Sequence, residues 1–225
     1  MAEPQYQVVE LFHSIQGEGV LAGVPSIFVR LAGCNLRCVW CDTAYARDPG
    51  AGEAIGLAEL VRRVGAFPTR FVVLTGGEPM LATGLPALAA ALRAQGRHIT
   101  IETNGTRPPA GIACDLASIS PKLRHAAAQG DAQPIDFAML AAWVEEYEFQ
   151  LKFVVAAPQD VDEVCDILAR IGQPVRPERV LLMPEGTDRA ILRSRDPWLV
   201  AACRQHGFRY GQRLQVELFG ARRGV

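Results

Sequence analysis

Three cysteines lie within eight positions of the chain, in the stretch GCNLRCVWCDT. They are Cys34, Cys38 and Cys41, and their spacing is C-x-x-x-C-x-x-C. Thiolates this close together are typical ligands of zinc or of an iron–sulfur cluster. Both kinds of site normally take four protein ligands. Because the run stops at three, either a distant residue completes the site or its fourth position is open.

The other three cysteines offer no obvious fourth ligand, because each stands alone in the sequence. Cys165 falls on the apolar face of a predicted helix, which favours a place in the core. Cys114 lies within a predicted strand, and Cys203 is a single cysteine. The pattern therefore favours an iron–sulfur cubane in which one iron has no protein ligand. A zinc ribbon with one remote ligand is the alternative.

Other polar motifs have the chemistry of a ligand site. In LTGGEP the paired glycines let the backbone approach a ligand closely, and Glu78 adds a carboxylate. In QGEG, Gln16 and Glu18 can present hydrogen-bonding groups to a polar heterocycle. Arg30 can hold a carboxylate in a bidentate fork. Lys152 lies in the apolar run LKFVV, where a buried lysine needs a partner.

Short apolar runs alternate with helical patterns along the chain, which predicts strands alternating with helices. Strands are predicted at 26–31, 71–74, 98–102, 112–119, 151–155 and 179–183, with 213–219 as a candidate for the last strand. Helices are predicted around 57–64, 85–96, 136–149 and 161–168. Loops are predicted at the Gly-rich segment 47–56 and at 123–134.

This alternation implies a parallel sheet, in which chemistry gathers at the carboxyl ends of the strands. The cysteine run, TGGEP, ETNG, SPK and PEG each follow a predicted strand. We therefore expect these motifs to share one site. Because we find no repeat and no low-complexity linker, we expect residues 1–225 to form a single α/β domain.

The composition is that of an ordinary globular protein, with 49% hydrophobic and 21% charged residues in a chain of 225. A formal net charge of -1 does not indicate a general nucleic-acid-binding surface. The sequence shows neither a signal peptide at its start nor an apolar run of about 18 residues. We therefore expect a cytoplasmic protein with reduced thiols and with no membrane or nucleic-acid partner.

The cysteine motif, with the aromatic Trp40 before its last cysteine, resembles the signature of the radical S-adenosylmethionine (SAM) superfamily. GGEP matches the motif that contacts the SAM amino group in that superfamily. The resemblance implies an incomplete (β/α) barrel of about six parallel strands with outer helices. It also implies a 4Fe–4S cluster whose open iron binds SAM.

Within that superfamily, the chain resembles the 7-carboxy-7-deazaguanine synthase family. The resemblance is carried by QGEG, Arg30, CDT, TGGEP, IETNG, SPK, LKFVV and the C-terminal LFGARRGV, and it spans nearly the whole chain. It implies that a 5′-deoxyadenosyl radical takes hydrogen from 6-carboxy-5,6,7,8-tetrahydropterin. The pterin ring then contracts with loss of ammonia, which gives 7-carboxy-7-deazaguanine. Such a carbon–nitrogen lyase serves 7-deazapurine biosynthesis, including that of queuosine.

The resemblance also implies roles for individual residues. The cluster ligands are Cys34, Cys38 and Cys41, and Thr43 binds Mg²⁺. The SAM contacts are Trp40, Gly77, Glu78, Ser120, Lys122, Met183 and Glu185. The pterin contacts are Ile15, Gln16, Gly17, Glu18, Arg30, Thr75 and Asn104. The chain departs from many relatives at Gln215, where they carry histidine, and in LLMPEGTD (181–188).

By the same resemblance we expect a homodimer that takes an electron from a donor such as flavodoxin or ferredoxin. Three other functions stay open on the residues alone. An activating enzyme that installs a glycyl radical on a partner protein shares the cysteine spacing but does not explain QGEG or Arg30. A simple electron carrier should have four cluster ligands and no GGEP. A zinc-binding interaction module would contain no iron.

Overall fold

The computed structural model describes residues 3–109, 111–128, 135–220 and 222–225, and these residues contain one open sheet of nine strands. The strands are β1 (Gln5–Ile15), β2 (Pro25–Leu31), β3 (Glu53–Gly56), β4 (Phe71–Gly76), β5 (His98–Thr103), β6 (Leu116–Ile119), β7 (Phe149–Val155), β8 (Val180–Pro184) and β9 (Arg209–Tyr210). Their order in the sheet is β3-β1-β2-β4-β5-β6-β7-β8-β9.

The middle of the sheet is a run of parallel strands, from β2 through β4 to β8, with the short β9 parallel to β8. At the other side, β1 is antiparallel to both β2 and β3. The sheet does not close on itself. The predicted incomplete barrel with about six parallel strands is therefore confirmed.

The described part of the chain contains six α-helices, of which five connect strands and the sixth follows β9. They are α1 (Leu57–Gly65), α2 (Leu85–Ala94), α3 (Phe137–Glu146), α4 (Asp160–Arg170), α5 (Arg189–His206) and α6 (Leu214–Phe219). Asp136 and Asp188 cap α3 and α5, since each carboxylate accepts hydrogen bonds from two backbone N–H groups of the first turn. None of the helices in these ranges is long and apolar enough to cross a membrane.

The hydrophobic core lies between the sheet and its outer helices. Leu60, Leu88, Trp143, Val164 and Leu199 carry it on α1 to α5, and all five side chains are fully buried. Burying such a side chain stabilises the fold by about 1.5–3 kcal/mol. The helices are amphipathic because only the face that meets the sheet needs apolar residues.

Most predicted elements are confirmed, and three predictions are wrong. Segment 213–219 forms α6 instead of a strand. Strand β6 begins at Leu116, so 112–115 are not part of it, and β3 occupies the end of the predicted loop 47–56. Of the predicted loop 123–134, residues 129–134 lie outside the described residues.

Strand β1 carries one extra residue relative to β2. The pairing runs from Val8 opposite Leu31 to Glu10 opposite Arg30, so Val9 is inserted as a β-bulge. Val8 and Leu31 face the core, where both are buried. Because side chains alternate along a strand, the bulge is what brings Glu10 to the same side as Arg30.

The loop between β1 and β2 crosses from one side of the open sheet to β7. Two backbone hydrogen bonds close it, from Gln16 to Val24 and from Gly23 to Gln16. Its tip is fixed by Gln150 on β7, whose Oε1 accepts a hydrogen bond of 2.7 Å from the Val20 N–H.

The glycines of QGEG permit this packing. A Cβ at Gly19 (φ +78°) would lie 2.2 Å from Gln150 Nε2, and one at Gly17 would lie 2.0 Å from Gln215 Oε1. Close contact therefore favours glycine at both positions, and the positive φ of Gly19 favours it there as well.

Candidate active site

A cavity of about 470 Å³ opens at the carboxyl ends of the parallel strands, where the sequence motifs were expected to meet. It has the size of a small-molecule site. The predicted site residues that line it are Ile15, Gln16, Gly17, Glu18, Arg30, Cys34, Cys38, Trp40, Cys41, Thr43, Thr75, Gly77, Asn104, Ser120, Lys122 and Met183. Glu78 and Glu185 are not among the lining residues.

The three cysteines lie on the loop that follows β2, and all three line the cavity as free thiols. Backbone hydrogen bonds from Gly33 to Ala46 and from Cys34 to Arg47 close the loop on itself. Burial raises the pKa of the Cys34 thiol, and nearby charges, including those of the other two thiolates, raise it further. Burial also raises the pKa of the Cys38 thiol, and the positive charge of Lys122 partly offsets this rise.

The donor set of this loop fits an iron–sulfur cluster, which takes thiolate ligands. The three free thiols line one cavity, so they can hold a single group together. Cys114 is no candidate for a fourth ligand, because it lies in the hydrophobic core and does not line the cavity.

Gly77 forms the wall of the cavity behind the cysteine loop. A Cβ at this position would lie 2.3 Å from the Gly33 carbonyl oxygen and 2.8 Å from Cys34 Cβ. Only a residue without a side chain lets β4 and the cysteine loop come this close.

Glu78 links two loops from beneath the cavity. Its carboxylate accepts hydrogen bonds from Met80 N (3.1 Å), Thr103 Oγ1 (2.8 Å) and Asn104 N (2.7 Å), and its side chain is buried. Burial raises its pKa, and these hydrogen bonds oppose that effect. Glu185 is the other predicted cofactor contact that does not line the cavity, and its Oε2 lies 2.7 Å from Arg195 Nη1.

Glu18 is held in the cavity by three donors. Its oxygens lie 3.0 Å from Lys152 Nζ, 3.3 Å from Arg213 Nε and 2.7 Å from Gln215 Nε2. Burial alone would raise the pKa of Glu18, but the charges of Lys152 and Arg213 outweigh it and lower the pKa to about 2. The cavity therefore contains a carboxylate that stays ionised at neutral pH.

A second carboxylate shares the same lysine. Glu102 lies 3.7 Å from Lys152 Nζ, accepts a hydrogen bond from Gln16 Nε2 (3.2 Å), and accepts another from Thr75 Oγ1 (2.9 Å). Burial opposes the charged form of Lys152, but the two carboxylates prevail and raise its pKa. Lys152 is thus the partnered buried lysine that its apolar context required.

Lys122 and Trp40 also line the cavity, with Lys122 Nζ 5.8 Å from the centroid of the Trp40 ring. Lys122 Nζ donates to Ser120, at 2.9 Å to the carbonyl and 2.7 Å to Oγ, and burial lowers its pKa. Trp40 Nε1 donates to His125 Nδ1 at 3.1 Å. Near the cysteines, Thr43 Oγ1 lies 3.7 Å from Cys41 Sγ.

Several cavity residues were not predicted from the sequence. They include Glu10, Asp42, Tyr45, Ser118 and Arg213. Glu102 lines the cavity as well, and it belongs to the ETNG motif that was expected there. Arg213 had no signal in the sequence, because its partners Glu18 and Asp42 lie more than 170 positions away along the chain.

Comparison with known proteins identifies the class of this fold and site. The family model of the radical SAM superfamily matches residues 28–196, which include the cysteine loop and most of the parallel strands. The partial parallel barrel with a three-cysteine loop at its mouth is therefore that of a radical SAM protein.

More specific matches cover nearly the whole chain. A relative from Halobacterium salinarum, named 7-carboxy-7-deazaguanine synthase, is 41% identical over 96% of this chain and 91% of its own length. A relative of the same name from Rhodopirellula baltica is 36% identical over 100% of this chain and 90% of its own. The crystal structure of QueE from Escherichia coli superposes with a TM-score of 0.71 at 26% identity, covering 92% of this chain and 93% of that one. The chain belongs to the 7-carboxy-7-deazaguanine synthase family.

Proposed function

We propose that the chain converts 6-carboxy-5,6,7,8-tetrahydropterin to 7-carboxy-7-deazaguanine with loss of ammonia, as a radical SAM carbon–nitrogen lyase of the queuosine pathway. The observation that carries the proposal is the full-length match to relatives that bear this enzyme's name. The cavity supports it independently, because it joins three thiols to a polar wall that suits a charged heterocycle.

In this proposal Cys34, Cys38 and Cys41 hold the 4Fe–4S cluster. When bound, the cluster and SAM supply a carbon-centred radical that can take hydrogen from the substrate. The SAM contacts in the cavity wall are Trp40, Gly77, Ser120, Lys122 and Met183. Glu78 supports the SAM site by accepting a hydrogen bond from the backbone N–H of Asn104. Glu185 supports it by fixing the loop that follows β8 through its ion pair with Arg195.

Substrate binding is assigned to the wall opposite the cysteines. Glu18 stays ionised, so it can accept hydrogen bonds from the N–H groups of a pterin. Gln16 and Thr75 are oriented by Glu102 and present the remaining polar groups. Arg30 holds the substrate carboxylate. Ile15, Gly17 and Asn104 complete the contact surface.

The remaining parts of the proposal concern metal, domain and partners. Thr43 is a hydroxyl ligand of Mg²⁺, which keeps several of its waters. Residues 1–225 form one domain, since all nine described strands join one sheet and one hydrophobic core. The chain acts in the cytoplasm as a homodimer that accepts an electron from a flavodoxin or ferredoxin.

The test is anaerobic reconstitution, followed by incubation with SAM, dithionite, Mg²⁺ and 6-carboxytetrahydropterin. Mass spectrometry should detect 7-carboxy-7-deazaguanine without stoichiometric loss of SAM. Cys38→Ser should abolish the product, whereas Cys165→Ser, a thiol on α4 outside the cavity, should retain it. Cleavage of SAM while the pterin stays intact would contradict the substrate and leave the superfamily assignment standing.

A further inference from the structure

Arg30 reaches the cavity from β2 with one edge of its guanidinium already occupied. Its Nε lies 2.6 Å from Glu10 Oε2, and the two side chains are only 16% and 17% exposed. The same Glu10 oxygen accepts a hydrogen bond of 2.8 Å from the Tyr45 hydroxyl. A single carboxylate oxygen thus binds both an arginine and a tyrosine at the cavity wall.

This contact depends on the β-bulge at Val9. With an uninterrupted register, Val9 would stand opposite Arg30, and Glu10 would point to the other side of the sheet. The inserted residue places a carboxylate beside the arginine where an apolar side chain would otherwise lie.

Tyr45 is itself held from two sides. It lies on the short 3₁₀ turn Ala44–Ala46, just beyond the cysteine loop. The guanidinium of Arg223 stacks on its ring, 3.6 Å from the centroid. Burial raises the pKa of Tyr45 to about 12, so its hydroxyl remains a hydrogen-bond donor at neutral pH.

These contacts fix the direction in which the guanidinium of Arg30 points. Among the described residues, the Nη1 and Nη2 groups of Arg30 have no hydrogen-bond partner, whereas Nε is bound to Glu10. Two parallel N–H groups remain for a planar carboxylate. Fixing their direction before the ligand arrives removes part of the entropy cost of binding.

We propose that Glu10 and Tyr45 are positioning residues that hold the Arg30 fork toward a ligand carboxylate and so set the preference for carboxylated over uncarboxylated ligands. The inference rests on the proposed function and deepens it. Neither residue needs to touch the ligand, because both act through Arg30.

The test compares Glu10→Gln and Tyr45→Phe with Glu53→Gln in the reconstituted enzyme. Glu53 is the matched control, since it also pairs with an arginine, Arg63 at 2.9 Å, but is 61% exposed outside the cavity. We expect both test variants to raise KM for 6-carboxytetrahydropterin about three- to tenfold, the value of one typical hydrogen bond, with kcat within about twofold. The control should match the unaltered chain.

Ligand binding separates positioning from general damage. By calorimetry, both variants should bind 7-carboxy-7-deazaguanine about three- to tenfold more weakly and 7-deazaguanine with unchanged affinity. Equal losses for the two ligands, or no loss for either, would overturn the inference. Tyr45→Phe removes only a hydroxyl, so it keeps the test informative if Glu10→Gln folds poorly.

The two proposals fail in different ways. An unaltered chain that makes no product but prefers the carboxylated ligand contradicts the proposed function alone. A chain that makes the product while its variants keep the same preference contradicts only the role of Glu10 and Tyr45. A chain that makes no product and binds the two ligands equally contradicts both.

Discussion

Glu18 shows how a single residue can keep its charge inside the protein. A carboxylate removed from water becomes easier to protonate, unless positive groups compensate for the lost hydration. Lys152 and Arg213 supply that compensation here, and Gln215 adds a neutral donor. Glu18 therefore stays ionised because of Lys152 on β7 and Arg213 before α6, and the QGEG motif alone would not keep it so.

Glu18 should make the stability of the protein depend on pH. Its pKa falls from 4.5 to about 2 on folding, so its contribution is present above pH 4.5 and is lost as the pH falls toward 2. Between pH 7 and pH 3, the metal-free chain should lose about 2 kcal/mol more unfolding free energy than Glu18→Gln. Urea unfolding at both pH values measures this difference.

The control for this prediction is Glu145→Gln, at an exposed position on α3. It should follow the unaltered chain at both pH values. Parallel curves for the unaltered chain and for Glu18→Gln would mean that Glu18 is not held as an ion in the folded protein.

Local spacing explains which residues could be predicted. The cysteines, Gly77 and Lys122 lie in short motifs, so a few neighbouring letters identify them. Glu10 and Arg213 belong to no recognisable motif. Their contacts are with residues far away in the sequence, which only the folded structure brings close. A bulge such as that at Val9 leaves no signal, because an inserted valine in a strand looks like any other.

Among the elements, the loop between β1 and β2 depends on one side chain of β7. Gln150 accepts from the Val20 N–H, and its Nε2 donates to Ser118 Oγ at 2.8 Å. The amide therefore connects the tip of the loop to two strands. Gln150 is buried, so the amide makes both of these bonds inside the protein.

Gln150→Leu should loosen this loop while leaving the sheet intact. The Val20 N–H loses its partner, which costs about 1–3 kcal/mol. We expect faster hydrogen exchange at Val20 and a higher KM for the pterin, with unchanged iron content after reconstitution. Gln95→Leu, at the exposed end of α2, is the control and should change none of these. Unchanged exchange at Val20 would contradict the predicted role of Gln150.

The elements were predicted well where they lie in the middle of the sheet. Strands β2, β4 and β8 contain continuous apolar runs because both of their faces are covered. Polar residues interrupt β5 and β7, but each keeps enough β-branched and apolar residues to be predicted. Strand β1, near the edge, has half-buried positions and a bulge that interrupt any regular pattern.

Helix α6 was predicted as a strand because RLQVELF alternates apolar and polar residues. Its helical state is favoured by tertiary contacts, including a hydrogen bond from Leu214 N to the Gly17 carbonyl. A six-residue apolar segment is too short for periodicity to decide between the two states. Helix α5 was missed because Pro197 and several charges break its pattern.

At the scale of the whole molecule, side-chain contacts join loops that the hydrogen bonds of the sheet do not connect. Arg213, which is only 9% exposed, binds Glu18 on the β1–β2 loop, Asp42 beyond the cysteine loop, and the carbonyl of Gly186 after β8. One guanidinium thus joins three segments that no strand pairing connects.

Arg213→Lys should weaken this connection, since an ammonium cannot reproduce the spread donors of a guanidinium. We expect a loss of about 1–2 kcal/mol of unfolding free energy and a higher KM for the pterin. Arg193→Lys is the control, because Arg193 is 70% exposed and pairs with Glu217 at 3.3 Å on the surface. It should cost less than about 0.5 kcal/mol. Equal losses in the two variants would show that Arg213 is an ordinary surface arginine.

The partners of Glu18 also determine the order in which the protein can be assembled during synthesis. A chain leaves the ribosome from its N-terminus, so Glu18 emerges long before Lys152, Arg213 and Gln215. Until those residues have been made, nothing compensates for removing its carboxylate from water, and the loop that carries it stays in solvent. The nascent protein can therefore pair its first strands while the mouth remains open. The cavity is completed only when residues 213–215 dock, so the site closes well after the segment that carries Glu18 has been synthesised.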